Sequence, residues 1–387
     1  MRSRWLEAVI AALLACALGT ACAAGRKPPR APIEGPRYAE RADAQRFADD
    51  VAASYGLDAD WVRATIADAR YLPGVAKAIM PPPAGTAKNW ALYRSRFVDA
   101  TRVRAGLAFW RDNVAWLAKA QALYGVPPEI VAGIVGVETI YGRQMGTFRV
   151  VDALATLAFD FPAGRSDRSA FFRDELEQLL VLCHLEERDP LTLKGSYAGA
   201  MGMPQFMPSS WLRYAIDFDG DGTIDLHASG ADVIGSVANY LAQFGWAPGV
   251  PTHFGVEPPA DAAERAVLLA PDIVPSFPAA EFAQRGARLD AAGRGYAGQL
   301  ALVELENGGA APSYVAGTEN FYAITRYNWS SYYAMAVIEL GAAVAREAGR
   351  EGLAVSAGSP LGEAADQVVG QRVERDVRHL EAVTQLE

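Results

Sequence analysis

Glu138 is a lone carboxylate in an apolar run, within VPPEIVAGIVGVETIYG. Pro127 and Pro128 suit a first helical turn, and Gly142 marks the stop. On a 3.6-residue period Val131, Ile134, Val135 and Glu138 share one face, which is otherwise apolar. A carboxylate buried there loses solvation, so its pKa rises and it holds a proton near neutral pH. A proton-carrying carboxylic acid is what glycosidic bond cleavage needs. The plainer alternative is a helix glutamate paired with an arginine or set at the wet edge of the face, since ion pairs perturb pKa values too.

A second stretch with chemical content is KGSYAGAMGMPQFMPSSWLRYAIDFDGDGTID, from Lys194 to Asp225. Gly195, Gly199 and Gly202 let a backbone approach a ligand closely. Ser196 and Gln205 are polar groups inside an apolar run, and Tyr197, Met201, Met203, Phe206, Met207 and Trp211 add soft and aromatic surface. Sugars are bound by this combination, ring faces on aromatics and hydroxyls on a few fixed polar groups. A tight glycine-rich turn with core methionines would read the same way. Within the stretch, Asp217, Asp219, Asp221, Gly222 and Asp225 match an EF-hand loop at positions one, three, five, six and nine. Position twelve is Ala228 rather than Glu, so a longer loop closed by Asp232 is the better fit to Ca²⁺, in a structural rather than a sensing role. A solvated acidic turn is the alternative.

The elements that must position these groups are mostly helical. Helical periodicity runs over Arg41–Tyr55, Ala59–Ala69, Trp90–Tyr124 in two or three pieces, Ala153–Phe159, Ser169–Glu187, Ala231–Phe244 and Asn328–Arg346. After Gly245 the texture turns rich in Pro, Gly and Ala, with β-like runs at Arg265–Leu269 and Leu300–Glu306. The fold class expected is mostly α, of the α+β type, with a small β-containing insert at 246–316. Asn239-Tyr240, Asn320-Phe321-Tyr322 and Arg326-Tyr327-Asn328-Trp329 add aromatics and amides of the kind a glycan site uses.

The chain has 387 residues, 51% apolar and 21% charged, an ordinary globular composition with room for two or three cores. A net charge of −9 argues against a general nucleic-acid binder. Arg2 and Arg4 followed by the apolar run Ala8–Gly19 read as an export signal over residues 1–23, and 24–38 as a Pro-rich, basic linker. Ala21-Cys22-Ala23 suits a signal-peptidase site. Lipidation at Cys16 or at Cys22 is left open: Leu13-Leu14-Ala15-Cys16 has the better lipobox composition, and Gly19-Thr20-Ala21-Cys22 the better position. The third cysteine, Cys183, sits in the helical pattern LEQLLVLCHLEE and reads as core. The histidines show no metal-ligand spacing.

GIVGVETIYG, VDALATLAFDFP, ELEQLLVL, LKGSYAGAMGMPQFMPSSWLRYAIDFDGDGTIDL, ADVIGSVANYL and NFYAITRYNWSSYYAMAV together resemble the membrane-bound lytic murein transglycosylase B family. The resemblance spans about residues 39–344. It implies a lysozyme-like helical core (126–245 and 317–345), an additional helical part (39–125) and the β-containing insert, with 346–387 an extension without a counterpart. It also implies cleavage of the MurNAc-β-1,4-GlcNAc bond of peptidoglycan without water, leaving 1,6-anhydro-MurNAc ends. Carried over residue by residue, Glu138 is the single acid/base; Ser196, Gln205, Tyr240, Tyr327, Asn328 and Tyr333 line the sugar subsites, to which the aromatic Tyr197 beside Ser196 is added as a substrate-binding residue; and Asp217, Asp219, Asp221, Thr223 by its carbonyl, and Asp232 hold Ca²⁺. No organic cofactor is implied. The partners implied are glycan strands and other cell-wall enzymes, in the periplasm, with an outer-membrane anchor if a cysteine carries lipid.

Overall fold

The computed structural model describes residues 35–81, 88–353 and 355. The leader with Cys16 and Cys22, the linker up to residue 34 and the tail from 356 lie outside the described residues. Sixteen helices and seven strands occur among the described residues, so the fold is mostly α with a minor sheet, as expected. They divide into two compact units: one holds described residues within 84–141 and 230–364, the other those within 12–83 and 142–229.

In the first unit, the helix carrying Glu138 spans Pro128–Thr139, with Pro128 in its first turn. Val131, Ile134 and Val135 are fully buried, but so are Ala132, Gly133 and Val137, with almost no exposure left on any side. The helix is therefore apolar all round rather than on one face, the pattern of a helix at the centre of a core. Its close neighbour is the helix Ser331–Arg350. A Cβ added at Gly133 would lie 2.2 Å from the Val337 carbonyl oxygen, and one at Gly341 would lie 1.9 Å from that of Glu129. The pairing 129 with 341 and 133 with 337 fixes an antiparallel contact in which backbone meets backbone. One turn further along, this register brings Tyr333 opposite Glu138.

The last long helix starts at Ser331, not at Asn328 as the periodicity suggested. Ser330 adopts an extended backbone and its hydroxyl accepts the Tyr333 N–H at 3.3 Å, a helix N-cap. Asn328 caps the end of a separate helix, Glu319–Tyr327, which is itself started by Thr318. The short break between them carries the Tyr327–Asn328 pair. The Ser331 helix runs on through Arg350, past the expected limit at 345.

The sheet of this unit has the strand order Phe277–Pro278, Gln299–Asn307, Ala310–Gly317, His253–Glu257, Arg288–Leu289, all antiparallel. Phe254, Leu268, Phe282, Leu300, Leu302 and Ala316 form its core. Arg265–Leu269, read above as β-like, is the end of a helix, Ala262–Leu269. Asp261 decides this, because its carboxylate accepts the N–H groups of Ala263 and Glu264 and starts a helix that the short apolar run then continues.

In the second unit the buried helix Val150–Phe159 packs against Ser169–Leu185. Cys183 is 1% exposed within that packing. A two-residue ladder pairs Phe148 with Gly195 and Arg149 with Lys194, anchoring the start of the glycine-rich stretch. Among the described residues no single helix is long and apolar enough to cross a membrane.

Candidate active site

Glu138 occupies the last turn of its helix and keeps intermediate exposure, while its neighbours in that turn are buried. The surrounding apolar mass desolvates its carboxyl and pushes its pKa up to about 7. One hydrogen bond opposes this: the Tyr333 hydroxyl donates to Glu138 Oε1 at 2.7 Å, which favours the charged form. Among the described residues no arginine pairs with Glu138, as the ion-pair alternative would require. Burial and the Tyr333 phenol are the two influences on its proton.

A chain of tyrosines continues from Tyr333. Its ring stacks on Tyr327 at 6.4 Å between centroids and 13° between planes. Tyr327 in turn meets Tyr240 at 4.8 Å, and the Tyr240 hydroxyl donates to the Arg326 carbonyl at 2.7 Å. Burial and the nearby Glu138 charge hold the Tyr327 and Tyr333 phenols well above their ordinary pKa, so both remain proton donors. Asn328 is 1% exposed, and its Oδ1 is buried without a hydrogen-bond partner. That oxygen is an acceptor in want of a donor, which a sugar hydroxyl or acetamido N–H can supply.

Tyr93, on the helix Trp90–Phe97, escaped the sequence reading. Burial and the Glu138 charge both raise its phenol, which puts it in electrostatic range of the carboxyl. It lies among Trp90, Phe97 and Tyr332, with centroids 6.2, 4.8 and 5.7 Å away. WALYRSRF is a short aromatic helix with no clean apolar face, so nothing in its pattern set Tyr93 apart from packing residues. Asn320, by contrast, was suggested as a cleft amide and is a fully buried fastener. It donates to the carbonyls of Ala247 and Val250 and accepts the Ala247 N–H.

The remaining candidates, Asp232 excepted, lie in the second unit. There the chain reverses twice within a few residues, with isolated bridges Gly195–Met201 and Met201–Phe206. Gly195 is packed so tightly that a Cβ on Gly146 would lie 2.0 Å from its carbonyl oxygen. The Ser196 hydroxyl accepts the N–H groups of Ala198 and Ala200 at 3.3 and 3.1 Å, leaving its own proton to donate. Gln205 sits at φ 53°, a left-handed conformation for a non-glycine residue. Its amide nitrogen donates to the carbonyls of Met145 and Gly202 at 3.2 and 2.9 Å, which turns its Oε1 the other way. Tyr197 is buried, 5% exposed. Strained backbone of this kind collects at functional sites.

The acidic loop follows. Carboxylate oxygens of Asp217, Asp219 and Asp221 lie within 4.8 Å of one another. Asp217 accepts the N–H groups of Gly220 and Gly222 at 2.7 and 2.8 Å, and Asp221 that of Thr223 at 2.8 Å. Three clustered hard oxygens in a loop turned by glycines fit a Ca²⁺-type cation. Asp225, at position nine, instead accepts the N–H groups of His227 and Ala228. Asp232, expected as the closing ligand, is 1% exposed in the first turn of the helix Gly230–Gln243.

Asp152 and Asp160 are the next carboxylates along the chain after Glu138, and a hydrolase would need such a group free to activate water. Asp152 is held by Arg149 at 2.7 and 2.8 Å and by the Arg70 N–H at 2.9 Å. Asp160 takes the Tyr38 hydroxyl at 2.6 Å and Arg41 at 2.9 Å. Both have structural work.

Residues 39–342 match the family described as the transglycosylase SLT domain. The chain belongs to that family. It is 39% identical over 333 residues to membrane-bound lytic murein transglycosylase B of Escherichia coli K12, covering 80% of this chain and 85% of that protein. The solved structure of the E. coli lytic transglycosylase Slt35 in complex with calcium matches with a TM-score of 0.70 and 39% identity, over 81% of this chain and 96% of that one. SltB3 of Pseudomonas aeruginosa, in complex with NAG-anhNAM-pentapeptide, matches with a TM-score of 0.64 and 30% identity, over 82% and 81%. The helical core therefore has the lysozyme-like architecture of these lytic transglycosylases.

Because the folded-state pKa of Glu138 is raised, ionising it costs stability. That stability is fully present below the unfolded value near 4.5 and is lost as pH rises towards about 7. Tyr333→Phe removes the donor that favours the carboxylate, so the pH at which this loss levels off moves upward. Thermal midpoints measured across pH for wild type and variant check this; an unchanged or lowered levelling point contradicts it.

Proposed function

We propose that this transglycosylase cuts the MurNAc-β-1,4-GlcNAc bond of peptidoglycan without water, with Glu138 as its single acid and base. The observation that carries the reading is the desolvated Glu138 carboxyl, with a pKa raised to about 7 and a lone phenol for a partner. Protonated Glu138 donates to the glycosidic oxygen as the C1–O bond breaks. The electron-poor C1 then needs a nucleophile. Glycosidases that use two carboxylates set them roughly 5 to 10 Å apart, but Asp152 and Asp160 are engaged elsewhere. The carbonyl oxygen of the substrate's own 2-acetamido group takes that part and forms a bond to C1. Ionised Glu138 next removes the proton from the C6 hydroxyl, O6 attacks C1, and the acetamido oxygen leaves. The anhydro ring closes and Glu138 has regained its proton. An intramolecular hydroxyl held in place outcompetes water.

In this reading Tyr240, Tyr327, Asn328 and Tyr333, with Ser196, Tyr197 and Gln205, bind the sugars. The bound NAG-anhNAM-pentapeptide of SltB3 supports a ligand of this class. Asp217, Asp219 and Asp221, with the Thr223 carbonyl and Asp232, would hold Ca²⁺, which supplies structural cross-linking rather than chemistry; the calcium complex of Slt35 supports this. The N-terminal run read as an export signal and the membrane-bound relative support a periplasmic enzyme; lipid at Cys16 or Cys22, if attached, would anchor it to a membrane.

Two outcomes follow. Wild-type protein releases anhydro-muropeptides from purified sacculi, and Glu138→Gln releases none while still binding them; mass spectrometry of the soluble fraction reads both, and hydrated reducing ends would sink the water-free mechanism. Chelation with EDTA lowers the thermal midpoint of wild type, added Ca²⁺ restores it, and Asp219→Ala abolishes the response; a midpoint indifferent to EDTA removes the cation from the account.

A further inference from the structure

The two residues after the Glu138 helix hold an unusual backbone. Ile140 and Tyr141 both have positive φ, 52° and 54°, and Gly142 follows at 84°. Only glycine takes this region without steric cost. Each L-residue there costs about 1 to 2 kcal/mol, and a β-branched residue such as Ile140 is the less suited. The turn is closed by Ile140 N–H to the Gly136 carbonyl at 3.2 Å and Tyr141 N–H to the Val135 carbonyl at 3.3 Å. These two bonds close the helix end in the manner of a glycine cap, with more strain.

The Tyr141 side chain supplies what the backbone lacks. Its ring folds back beneath its own helix. A Cβ on Gly136 would lie 2.5 Å from the Tyr141 hydroxyl oxygen, and one on Gly106, in the helix Ala100–Asp112, 2.4 Å from it. Phe109 closes the slot with its ring centroid 5.3 Å away. The hydroxyl is buried and has no hydrogen-bond partner. The charge that acts on it is that of Arg102, which is bound to Asp99 at 2.7 Å. The ring is thus held by shape in a slot that two glycines leave open.

We infer that Tyr141 is a positioning residue for Glu138: its ring, seated between Gly106 and Gly136, holds the Ile140–Tyr141 backbone left-handed and so fixes the turn that aims the carboxyl at Tyr333. The inference rests on the acid/base role proposed for Glu138. It differs from a packing role in one respect. Freed of its wedge, the turn relaxes toward ordinary helix or loop geometry, and Glu138 meets water while the core formed by Val131, Ile134 and Val137 persists. The titratable groups facing Glu138 are the phenols of Tyr333, Tyr327 and Tyr93, and none of them is altered by the variants below.

The test measures turnover of a soluble MurNAc-GlcNAc oligomer across pH for Tyr141→Ala, Tyr141→Phe, the double variant Ile140→Gly with Tyr141→Ala, and Glu138→Gln, each scaled by its folded fraction. Tyr141→Ala lowers kcat by about tenfold or more, keeps KM within about twofold and moves the basic limb of kcat to lower pH. Tyr141→Phe, which fills the slot and loses only an unpartnered hydroxyl, retains both the rate and the limb. Glycine at 140 takes the left-handed conformation unaided and restores part of the rate. Should alanine at 141 not fold, Tyr141→Leu carries the same expectation. A wild-type limb and wild-type kcat per folded molecule in the alanine or leucine variant overturn the inference. If Glu138→Gln itself turns over, the acid/base reading fails first; if it is inactive and Tyr141→Ala is normal, only the positioning role fails.

Discussion

The structure around the site depends on one constraint: a carboxyl group has been placed where the surrounding apolar mass leaves its charge poorly solvated. Glu138 sits in the last turn of a helix whose other side chains are almost all buried. Its proton affinity follows from that setting, with desolvation the larger influence and the Tyr333 hydrogen bond the smaller, opposing one. A second carboxylate beside it would have raised the pKa further, and an arginine would have lowered it. Among the described residues no arginine or lysine pairs with Glu138, and desolvation keeps its proton affinity near neutral pH, as the proposed acid and base role requires.

Such a placement needs a rigid frame, and the frame is built from the smallest residues. Gly133 and Gly341 let two helices meet backbone to backbone. Any side chain there would drive the helices apart and draw Tyr333 away from Glu138. Gly106 and Gly136 open a slot for the Tyr141 ring directly beneath the same turn. Glycine inside a helix costs roughly 1 kcal/mol relative to alanine, so its repeated use within IVAGIVGVET is a cost set against close approach. Burial of the aliphatic residues around it offsets that cost.

Much of this was legible in the sequence, and the limits have physical causes. Glu138 stood out because a charge in an apolar run is rare, and the long helices followed from sustained periodicity. The Pro128–Thr139 helix, buried apart from Glu129 and Glu138, was read as one-faced because a single polar residue imposes a face on an otherwise featureless pattern. Arg265–Leu269 was read as extended because a short run with four apolar residues fits either period, and the deciding signal was the Asp261 cap just upstream. The break at Asn328–Ser330 was missed for the same reason, since Ser330 as an N-cap weighs more than the periodicity that runs through it. Tyr93 and Tyr141 carry no local signal at all. Their importance comes from residues 45 positions away in one case and from two glycines on separate helices in the other, and only the fold brings these together.

The proton on Glu138 is the point on which the account turns, and it can be observed directly. Carboxyl ¹³C shifts of glutamate-labelled protein, followed through a pH titration and assigned by difference against Glu138→Gln, report that one group. The account predicts a midpoint near 7 for Glu138, with the other glutamates serving as internal references. A midpoint near 4.5, the value of an exposed glutamate, would contradict it: the residue would then be charged at neutral pH, and the burial that organises this site would have another purpose.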